Sequence, residues 1–360
     1  MMRAARASID RSALRHNFQR VRASAPNSRI LAILKADAYG HGALTVAQTL
    51  DDAHGFGVAS VEEALALRAA GIDKTIVSLQ GFKSALELAK AAVNNIDVTV
   101  HDAYQIELLA AASFAEPVNV WLKVDTGMAR LGFAPTEIAT VHRRVTELPQ
   151  VTTAPVLMTH LACADERRSD YSRHQLGIFE HVTEALTGKR SVANSAGILA
   201  WPESHGDWVR PGIMLYGASP FVYDTAEHAG LKPVMTLAAP LITRRWMRAG
   251  EPVGYGNSWT APEAMPIGVA AIGYADGYPR HAGTGTPVSV REVVDRLTAV
   301  SGVSAEPEVQ GTGTPHGEID RQYLDSTAIR EQLGWAPRYE LDEGLKAAWA
   351  WYERHLSAAP

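Results

Sequence analysis

Between residue 12 and about residue 215, short apolar runs alternate with stretches whose apolar residues recur at helical spacing. The first helical stripe consists of Leu14, Phe18 and Val21, at positions i, i+4 and i+7. It is followed by the continuous apolar run of residues 30–34 (ILAIL), which is typical of a strand buried on both faces. This alternation indicates an α/β architecture with a parallel sheet.

Seven such runs precede residue 195, and the helical stretches between them include residues 61–70, 85–93 and 106–112. The runs cover residues 30–34, 55–59, 75–79, 98–100, 118–124, 155–160 and 191–194. With an eighth run near residues 213–216, the pattern favours a closed barrel over an open sheet. We therefore predict an α/β fold: a (β/α)8 TIM-type barrel, followed by a partial β domain and an α-rich C-terminal tail.

Polar residues follow several of the predicted strands. Lys35, His160 and Asn194 stand at carboxyl ends of apolar runs, and Arg130 comes just beyond another. Each residue alone is as readily an ordinary loop residue. In a barrel, however, these ends face one mouth, where such folds carry their active sites. Together the four residues predict a functional site there.

Composition narrows the class of protein. The chain has 34 Lys plus Arg against 39 Asp plus Glu, a formal net charge of −5, which argues against nonspecific nucleic-acid binding. A single cysteine, Cys163, excludes an intrachain disulfide, and no Cys/His cluster indicates a metal. No apolar stretch is long enough for a signal peptide or a membrane span. We expect a cytoplasmic protein that binds neither nucleic acid, membrane nor metal.

The segment of residues 34–42, LKADAYGHG, contains the most informative lysine. A lysine at the end of a buried strand is expected to be desolvated, which lowers its pKa and frees its amine as a nucleophile or base. The glycines allow close approach to a ligand, and Tyr39 can donate its hydroxyl proton to an anion. We interpret Lys35 as a Schiff-base lysine beside a phosphate contact; a solvated lysine at a strand end is the alternative.

This segment resembles the cofactor-lysine segment of the alanine racemases, fold-type III enzymes that depend on pyridoxal 5'-phosphate. The resemblance continues through residues 121–133 (WLKVDTGMARLGF), 159–166 (THLACADE), 192–199 (VANSAGIL), 209–221 (VRPGIMLYGASPF), 251–259 (EPVGYGNSW) and 271–280 (AIGYADGYPR). The motifs occur in the family's order up to about Val288. The resemblance implies a homodimer that interconverts L- and D-alanine.

The resemblance also implies roles for individual residues. Racemisation removes the Cα proton from one face of the amino acid and returns one on the other, so it needs two bases. Lys35 would hold the cofactor and serve one face, and Tyr255, supplied by the other subunit, would serve the opposite face. Arg210 would bond the pyridine nitrogen of the cofactor. Because arginine keeps its proton, that nitrogen should stay unprotonated, which disfavours transamination.

The remaining implied roles surround the same cofactor. His160 would lie behind the ring and bond Arg210. Arg130 would reach the phenolic oxygen of the cofactor and the substrate carboxylate. Lys123 matches a position that is carbamylated in some members, where the added negative charge would orient Arg130. The implied phosphate contacts are Tyr39, Ser195, Gly212 and Ile213, with Asn194 lining the same pocket.

After the barrel region the sequence no longer alternates between apolar runs and helical stretches. Residues 235–245, 250–257 and 267–274 predict β structure with tight turns. We place the barrel at residues 1–228, the N-terminal part of the racemase β domain at 229–288, and an atypical tail at 289–360. In the tail we predict a helix over 290–300, a loop over 312–317, a helix from Ser326 or Thr327 to Leu333, and a closing helix over 344–356.

After residues 285–288 (GTPV) we find neither the Met-Asp pair nor the late tyrosine of the racemase family. Residues 290–356 instead resemble the C-terminal segment of sugar-nucleotide epimerases and dehydratases of the extended short-chain dehydrogenase type. The tail lacks the GxxGxxG and YxxxK motifs of those enzymes, so it is not that enzyme. Residues 289–360 hold 7 Lys plus Arg and 12 Asp plus Glu, so the acidic excess of the chain lies there.

The chain is therefore interpreted as a composite, and natural recombination and artificial fusion are equally consistent with it. A β domain that ends at residue 288 would leave strand edges unpaired and weaken the dimer interface that delivers Tyr255. We expect pyridoxal phosphate binding with impaired racemase turnover. Two alternatives stay open: a pyridoxal-phosphate-binding barrel without turnover, and a sugar-nucleotide-binding module supported by the tail alone.

Overall fold

The computed structural model describes residues 5–152, 154–221, 224–257 and 259–278, which form parts of two compact units. One unit is Asp10–Val234, and the other combines Met1–Ile9 with Met235–Pro360. The helices and loop predicted for residues 289–360 lie outside the described residues, as does the resemblance of that tail to the epimerases.

The helices and strands of the described residues are numbered in chain order. The strands are β1 Arg6–Ile9, β2 Arg29–Ile33, β3 Gly55–Val58, β4 Thr75–Ser78, β5 Asp97–Val100, β6 Val120–Lys123, β7 Val156–Met158, β8 Arg190–Ser191, β9 Trp208–Val209, β10 Met235–Ala238, β11 Leu241–Met247, β12 Pro252–Val253, β13 Trp259–Thr260 and β14 Met265–Ala270. The helices are α1 Arg11–Ser24, α2 Lys35–Gly40, α3 Ala43–Thr49, α4 Val61–Ala69, α5 Ala85–Val93, α6 Ala103–Ala111, α7 Ile138–Thr146, α8 Tyr171–Thr183 and α9 Ser195–Ala200.

The first unit is a closed barrel of eight parallel strands, β2 to β9 in sequence order. Helices alternate with the strands, and α5 has the predicted bounds. Helices α4 and α5 each begin after a serine, Ser60 or Ser84, whose hydroxyl accepts a backbone hydrogen bond from the first turn. These caps follow the carboxyl ends of strands, so the strand-to-helix loops gather at one mouth. The predicted (β/α)8 barrel is confirmed.

Two glycines on β3 leave room for large side chains in the barrel. A Cβ atom built on Gly57 would lie 2.7 Å from Ile33 Cδ1, and one on Gly55 would lie 3.1 Å from Leu31 Cδ1. The rings of Trp121 and Trp208 pack with their centroids 5.5 Å apart. The buried core cluster consists of Leu31, Ile33, Val77, Trp121, Met158 and Trp208. The barrel is thus filled with side chains and open to ligands at its mouth.

The eighth strand does not lie where the sequence predicted it. It is β9, which pairs with β2 through Arg29↔Trp208 and Ile30↔Val209, whereas residues 213–216 form the 3₁₀ helix Ile213–Tyr216. Pro211 has no N–H to donate to a strand ladder and ends the strand. The apolar run at 213–216 arises because one side of the short helix packs into the core.

The second unit contains three antiparallel strand pairs among its described residues: β1 with β10, β11 with β14, and β12 with β13. The predicted β structure is confirmed. The strand predicted over 235–245 is divided at Pro240, which lacks the N–H that a continuous ladder needs. The strand predicted over 267–274 ends at Ala270, and Tyr274 belongs to the 3₁₀ helix Tyr274–Asp276. No helix in the described part of the chain has the length and apolarity that a bilayer crossing requires.

Candidate active site

The segment α2, Lys35–Gly40, is a left-handed turn and not a right-handed α-helix. Ala36, Asp37, Ala38 and Tyr39 all have φ between 51° and 56°, although none of them is glycine. Each left-handed L-residue costs roughly 1–2 kcal/mol. Such a conformation persists only where the surrounding structure holds it in place, and it is concentrated at functional sites.

Hydrogen bonds hold both ends of this turn. At its start, Ala36 N donates to Glu63 Oε1 at 2.9 Å. At its end, Asp37 Oδ1 accepts from Ala43 N at 2.7 Å, and His41 Nδ1 lies 3.0 Å from the Ala38 carbonyl within the turn. Side chains from inside and outside the turn therefore offset its strain.

Lys35 is exposed at the mouth of the barrel. The prediction that Lys35 is desolvated is therefore wrong. Strand β2 ends at Ile33, and the left-handed turn that follows places Lys35 at the open end of the barrel and not in its core. Lys35 Nζ lies 5.9 Å from the centroid of the Tyr39 ring, within the range of a cation–π contact.

Tyr39 is held beside Lys35 by a second tyrosine, which the sequence argument missed. The rings of Tyr39 and Tyr216 lie 4.8 Å apart, and Tyr216 Oη donates to the Ile33 carbonyl at 2.7 Å. Partial burial raises the pKa of Tyr39, so its phenol stays protonated at neutral pH and can donate to an anion.

A cavity of about 570 Å³ opens at the barrel mouth. Ten of the eleven predicted site residues line it. They are Lys35, Tyr39, Lys123, Arg130, His160, Asn194, Ser195, Arg210, Gly212 and Ile213. The eleventh, Tyr255, begins the 3₁₀ helix Tyr255–Asn257 of the second unit, and its role stays a prediction. Four of the lining side chains are basic, which suits an anionic ligand.

Arg210 is almost fully buried and bonds neutral acceptors. Its Nη1 donates to Ser191 Oγ at 2.6 Å, and its Nη2 donates to the carbonyls of Thr159 and Val192. The same Nη2 lies 3.3 Å from His160 Nδ1. Burial lowers the pKa of Arg210 to about 10, so the guanidinium is charged at neutral pH and fixed in orientation.

His160 must be neutral in this arrangement. A guanidinium has donors and no acceptor, so His160 Nδ1 accepts from Arg210 and its ring proton is on Nε2. Burial, and then the charges of Arg210 and Lys123, lower the pKa of His160 well below the usual value. The geometry and the electrostatics therefore agree on a neutral ring, and the hydrogen bond from Arg210 assigns its proton to Nε2.

Lys123 points into the barrel because it lies two residues after Trp121 on the same strand, β6. It is 6% exposed. Burial, and then the charges of Arg210 and Arg130, lower its pKa to about 7. A substantial fraction of its amine is therefore neutral and nucleophilic at neutral pH.

A tight loop presents Arg130 at the cavity. Asp125 Oδ1 accepts from the backbone N–H groups of Gly127 and Ala129 at 3.0 and 3.1 Å. Gly132 has φ +123°, and a Cβ there would lie 2.7 Å from Asp125 N, so glycine is required. Arg130 itself is exposed and free to meet a ligand carboxylate.

Two short helices start at the cavity lining, α9 and the 3₁₀ helix Ile213–Tyr216. Ser195 Oγ accepts from Gly212 N at 2.9 Å, which joins the two starts. A Cβ on Gly212 would lie 2.7 Å from Tyr39 Oη. The N–H of Ile213 has no protein acceptor within the described part of the chain. Helix-start N–H groups and the Tyr39 hydroxyl together form a set of donors for an anion.

Asn194 lines the cavity, but its polar atoms bond to the backbone. Its Oδ1 accepts from Gly197 N at 2.9 Å, as the N-cap of α9, and its Nδ2 donates to the Leu161 carbonyl at 3.3 Å. The structure therefore gives Asn194 the role of shaping the loop beside His160.

Sequence reasoning missed the residues that support the site from neighbouring elements. Glu63 carries the S-x-x-E signal of a capping box, which predicts a helix start and nothing more. Gln175 is fully buried on α8, and its side chain bonds Ala162 N at 2.8 Å and the His160 carbonyl at 3.1 Å. A polar residue on the buried face of a helix is a signal for such a role, although its partners cannot be read from sequence.

Comparison with known proteins gives two family matches. The model of the alanine racemase N-terminal domain matches residues 9–220, and that of the alanine racemase C-terminal domain matches residues 234–306. The second match extends beyond residue 288, where we placed the end of the racemase segment.

Individual relatives agree with these matches. The alanine racemase of Halorhodospira halophila is 52% identical over 298 residues, 82% of each chain. That of Shewanella baltica (strain OS185) is 47% identical over 338 residues, 91% of this chain and 93% of its own. Among solved structures, the biosynthetic alanine racemase of Pseudomonas aeruginosa is 45% identical with a TM-score of 0.77, over 80% of each chain.

The alanine racemase of Bartonella henselae, whose structure contains covalently bound pyridoxal phosphate, is 32% identical with a TM-score of 0.67 over 77% of each chain. The two family models match most of the barrel and the β structure that follows it, and the relatives are similar along most of their length. The chain therefore belongs to the alanine racemase family.

Proposed function

We propose that this protein interconverts L- and D-alanine with pyridoxal 5'-phosphate attached to Lys35. The observation that carries the proposal is the cavity at the barrel mouth, which combines an exposed lysine amine, a buried guanidinium and a set of anion donors. The covalently bound cofactor of the Bartonella henselae relative supports it further.

The residues of the cavity fit this cofactor by their chemistry. The hydroxyl of Tyr39, the N–H of Ile213 and the start of α9 at Ser195 would hold the phosphate. Gly212, where a side chain would collide with Tyr39, leaves room for this group. Arg210 would meet the pyridine nitrogen. When bound, pyridoxal phosphate withdraws electrons from the amino-acid Cα and makes its proton acidic.

Two bases on opposite faces would move that proton. The Lys35 amine would take or return the Cα proton on one face, and the Tyr255 hydroxyl would do so on the other. Return on the face opposite to removal inverts the configuration. In the family's arrangement the tyrosine comes from the second subunit, so we propose a homodimer as the active form.

Arg210 would restrain the reaction to proton transfer. Its pKa of about 10 keeps it charged at neutral pH, so it can only donate to the pyridine nitrogen and leaves that atom unprotonated. His160 and Ser191, which bond its terminal nitrogens, would hold the guanidinium at the ring edge.

Lys123 would become carbamylated. Its amine, with a pKa of about 7, attacks the carbon of CO2 in its neutral form, forms an N–C bond and releases one proton, so the neutral amine becomes a carbamate anion. Starting from the protonated amine, two protons are released and a cation becomes an anion. Coulomb attraction between that anion and Arg130 would orient the guanidinium toward the carboxylate of alanine. The change would also reduce the crowding of positive charge among Lys123, Arg130 and Arg210.

We also propose that turnover is impaired by the atypical C-terminal tail. After residue 288 we find neither the family's Met-Asp pair nor its late tyrosine, although the alanine racemase C-terminal model matches as far as residue 306. We interpret the tail as similar to the epimerase segment, and the proposed impairment rests on that interpretation. The family match over residues 234–306 favours an impaired racemase over a cofactor-binding barrel that never had a second domain.

A coupled assay of D-alanine formation by the full chain tests the proposed function. Turnover that requires added pyridoxal phosphate and falls by at least about a hundredfold in Tyr255→Phe, the loss typical of a missing acid–base group, is expected. Turnover unaffected by Tyr255→Phe would contradict the two-base account. A cofactor-loaded parent chain without turnover would leave a binding protein instead.

A further inference from the structure

We propose that Glu63 is a positioning residue for Lys35: its carboxylate fixes the left-handed turn that presents the lysine amine. The consequence for the cofactor rests on the proposed function, whereas the effect on the backbone does not. Glu63 lies on α4, outside the turn and outside the lining of the cavity.

The carboxylate bridges two strand-to-helix loops. Glu63 Oε1 accepts from Ala36 N at 2.9 Å, and Oε2 accepts from Ala59 N at 2.7 Å. Ala36 follows Lys35 directly, and Ala59 follows the end of β3. One side chain thus joins the loop after β2 to the loop after β3, at the barrel mouth.

An ordinary capping box would use this residue differently. Ser60 is the N-cap of α4, and its Oγ accepts from Glu63 N at 3.4 Å. In a capping box the glutamate in return accepts from the N-cap N–H. Here the two oxygens bind Ala36 N and Ala59 N instead. The glutamate that the sequence marks as a helix cap therefore tethers the lysine segment.

The hydrogen bond from Ala36 N to Glu63 lies where the left-handed run begins, so it can hold the backbone next to Lys35. The Lys35–Ala36 peptide is the first unit of a run of four left-handed residues, a conformation that persists only when its surroundings hold it. The far end of the run is held by Asp37 and His41, which belong to the segment itself. Glu63 is the side chain that holds the near end from another βα unit. Its charge strengthens both hydrogen bonds.

Glutamine at position 63 separates this role from helix capping. Glutamine still serves in a capping box, but it has one acceptor oxygen where Glu63 has two, and its amide N–H groups would face a backbone N–H. Glu63→Gln should therefore loosen the bridge while α4 remains intact. Glu62→Gln is a matched control, since Glu62 is the adjacent exposed residue and bonds its own N–H and Ser60.

The experiment compares the parent chain, Glu63→Gln and Glu62→Gln by two readouts. Amide hydrogen exchange of residues 34–42 is measured without cofactor, and the affinity for pyridoxal phosphate is then measured from the visible absorbance of the bound form. We expect Glu63→Gln to speed exchange in this segment and to weaken cofactor affinity by about tenfold, the effect of losing one charged hydrogen bond. Glu62→Gln should change neither.

Unchanged exchange in Glu63→Gln would overturn the proposal, as would a cofactor affinity equal to that of the parent. If the parent bound no cofactor, the proposed function would fail, and the exchange comparison alone would decide the role of Glu63. Far-UV circular dichroism establishes that α4 and the barrel persist in each variant. Glu63→Ala, which removes both acceptors, should show a larger increase in exchange than Glu63→Gln.

Discussion

Arg210 Nη2 lies 3.3 Å from His160 Nδ1, and the arginine is the donor in this hydrogen bond. The histidine is therefore kept neutral by a neighbour that never gives up its proton under physiological conditions. His160 follows β7 and Arg210 follows β9, the strands on either side of β8. The pair therefore joins the residue proposed at the pyridine nitrogen to the loop that follows β7.

Protonation of His160 should destabilise the fold. Its pKa in the folded chain is well below the usual value, whereas in the unfolded chain it is about 6.5. Below that pH the unfolded state binds more protons, so the free energy of unfolding falls as the pH is lowered. Urea unfolding between pH 5 and 8 should show this loss in the parent and a smaller one in His160→Gln.

His181→Gln provides the comparison, because His181 is exposed on α8. If His160→Gln and His181→Gln had the same pH dependence as the parent chain, His160 would not be the buried neutral group described above.

Lys123 should make stability depend on pH on the alkaline side. Its pKa is about 7 when folded and about 10.4 when unfolded. Between these two pKa values Lys123 is protonated in the unfolded state and neutral in the folded state. The free energy of unfolding should therefore increase by up to ~1.4 kcal/mol for each unit by which the pH is raised. Lys123→Met should abolish this slope in CO2-free buffer, and Lys90→Met, at an exposed position on α5, should retain it.

Dissolved CO2 should convert Lys123 to its carbamate. With ¹³C-labelled bicarbonate, the parent chain should show a protein-bound carbamate signal by NMR that is absent from Lys123→Met. A signal of equal intensity in the variant would place the carbamate elsewhere.

Gly212→Ala should damage the anion side of the cavity without unfolding the barrel. The added Cβ would lie 2.7 Å from Tyr39 Oη, so Tyr39 must move out of place. We expect cofactor affinity to fall by about tenfold, the value of one hydrogen bond to a charged group. Tyr39→Phe removes the same hydroxyl, so it should add little further loss in the Gly212→Ala background. Equilibrium titration of absorbance measures both.

Gly177→Ala is the matched control for this substitution. Gly177 lies in α8, and a Cβ there would meet nothing within 4 Å, so the change should stabilise the chain by about 0.5–1 kcal/mol. Equal cofactor affinities for the two glycine variants would show that the close approach of Tyr39 is unimportant.

Gln175→Leu should loosen the loop that carries His160. The substitution removes the hydrogen bonds to Ala162 N, the His160 carbonyl and Thr126 Oγ1, at a cost of about 1–3 kcal/mol in unfolding free energy. It should also weaken cofactor binding. Gln150→Leu removes one bond, to the Ala112 carbonyl, away from the cavity lining. It should therefore reduce stability without lowering cofactor affinity; equal affinities in both variants would contradict the role of Gln175.

The fold was largely predictable from the sequence, because the spacing of apolar residues reflects which side chains of each strand and helix are buried. The eighth strand was misplaced since the run at residues 213–216 is buried on one side of a 3₁₀ helix, while β9 has just Trp208 and Val209 before Pro211. A two-residue strand gives no periodicity to detect. Lys35, Arg130, His160 and Asn194 were predicted from their places after apolar runs, and the other site residues were named through the family motifs. Ten of the eleven line one cavity.

The backbone at the lysine could not be predicted. Ala36, Asp37 and Ala38 carry no signal for a left-handed turn, since tertiary hydrogen bonds rather than local preference impose it. The same turn explains why Lys35 is exposed, contrary to the prediction of a desolvated amine. The contact between Glu63 and the lysine segment could not be predicted for a related reason. The sequence around Glu63 predicts a helix cap, and its partner Ala36 is 27 residues away.

The proposed function requires that Lys35 holds pyridoxal phosphate at the barrel mouth. Hydride reduction of the full chain loaded with cofactor, followed by peptide mapping, tests it most directly. We expect a single stoichiometric label on Lys35, which is lost in Lys35→Ala but retained in Tyr255→Phe. A label on another lysine, or none on a chain that binds the cofactor, would contradict it.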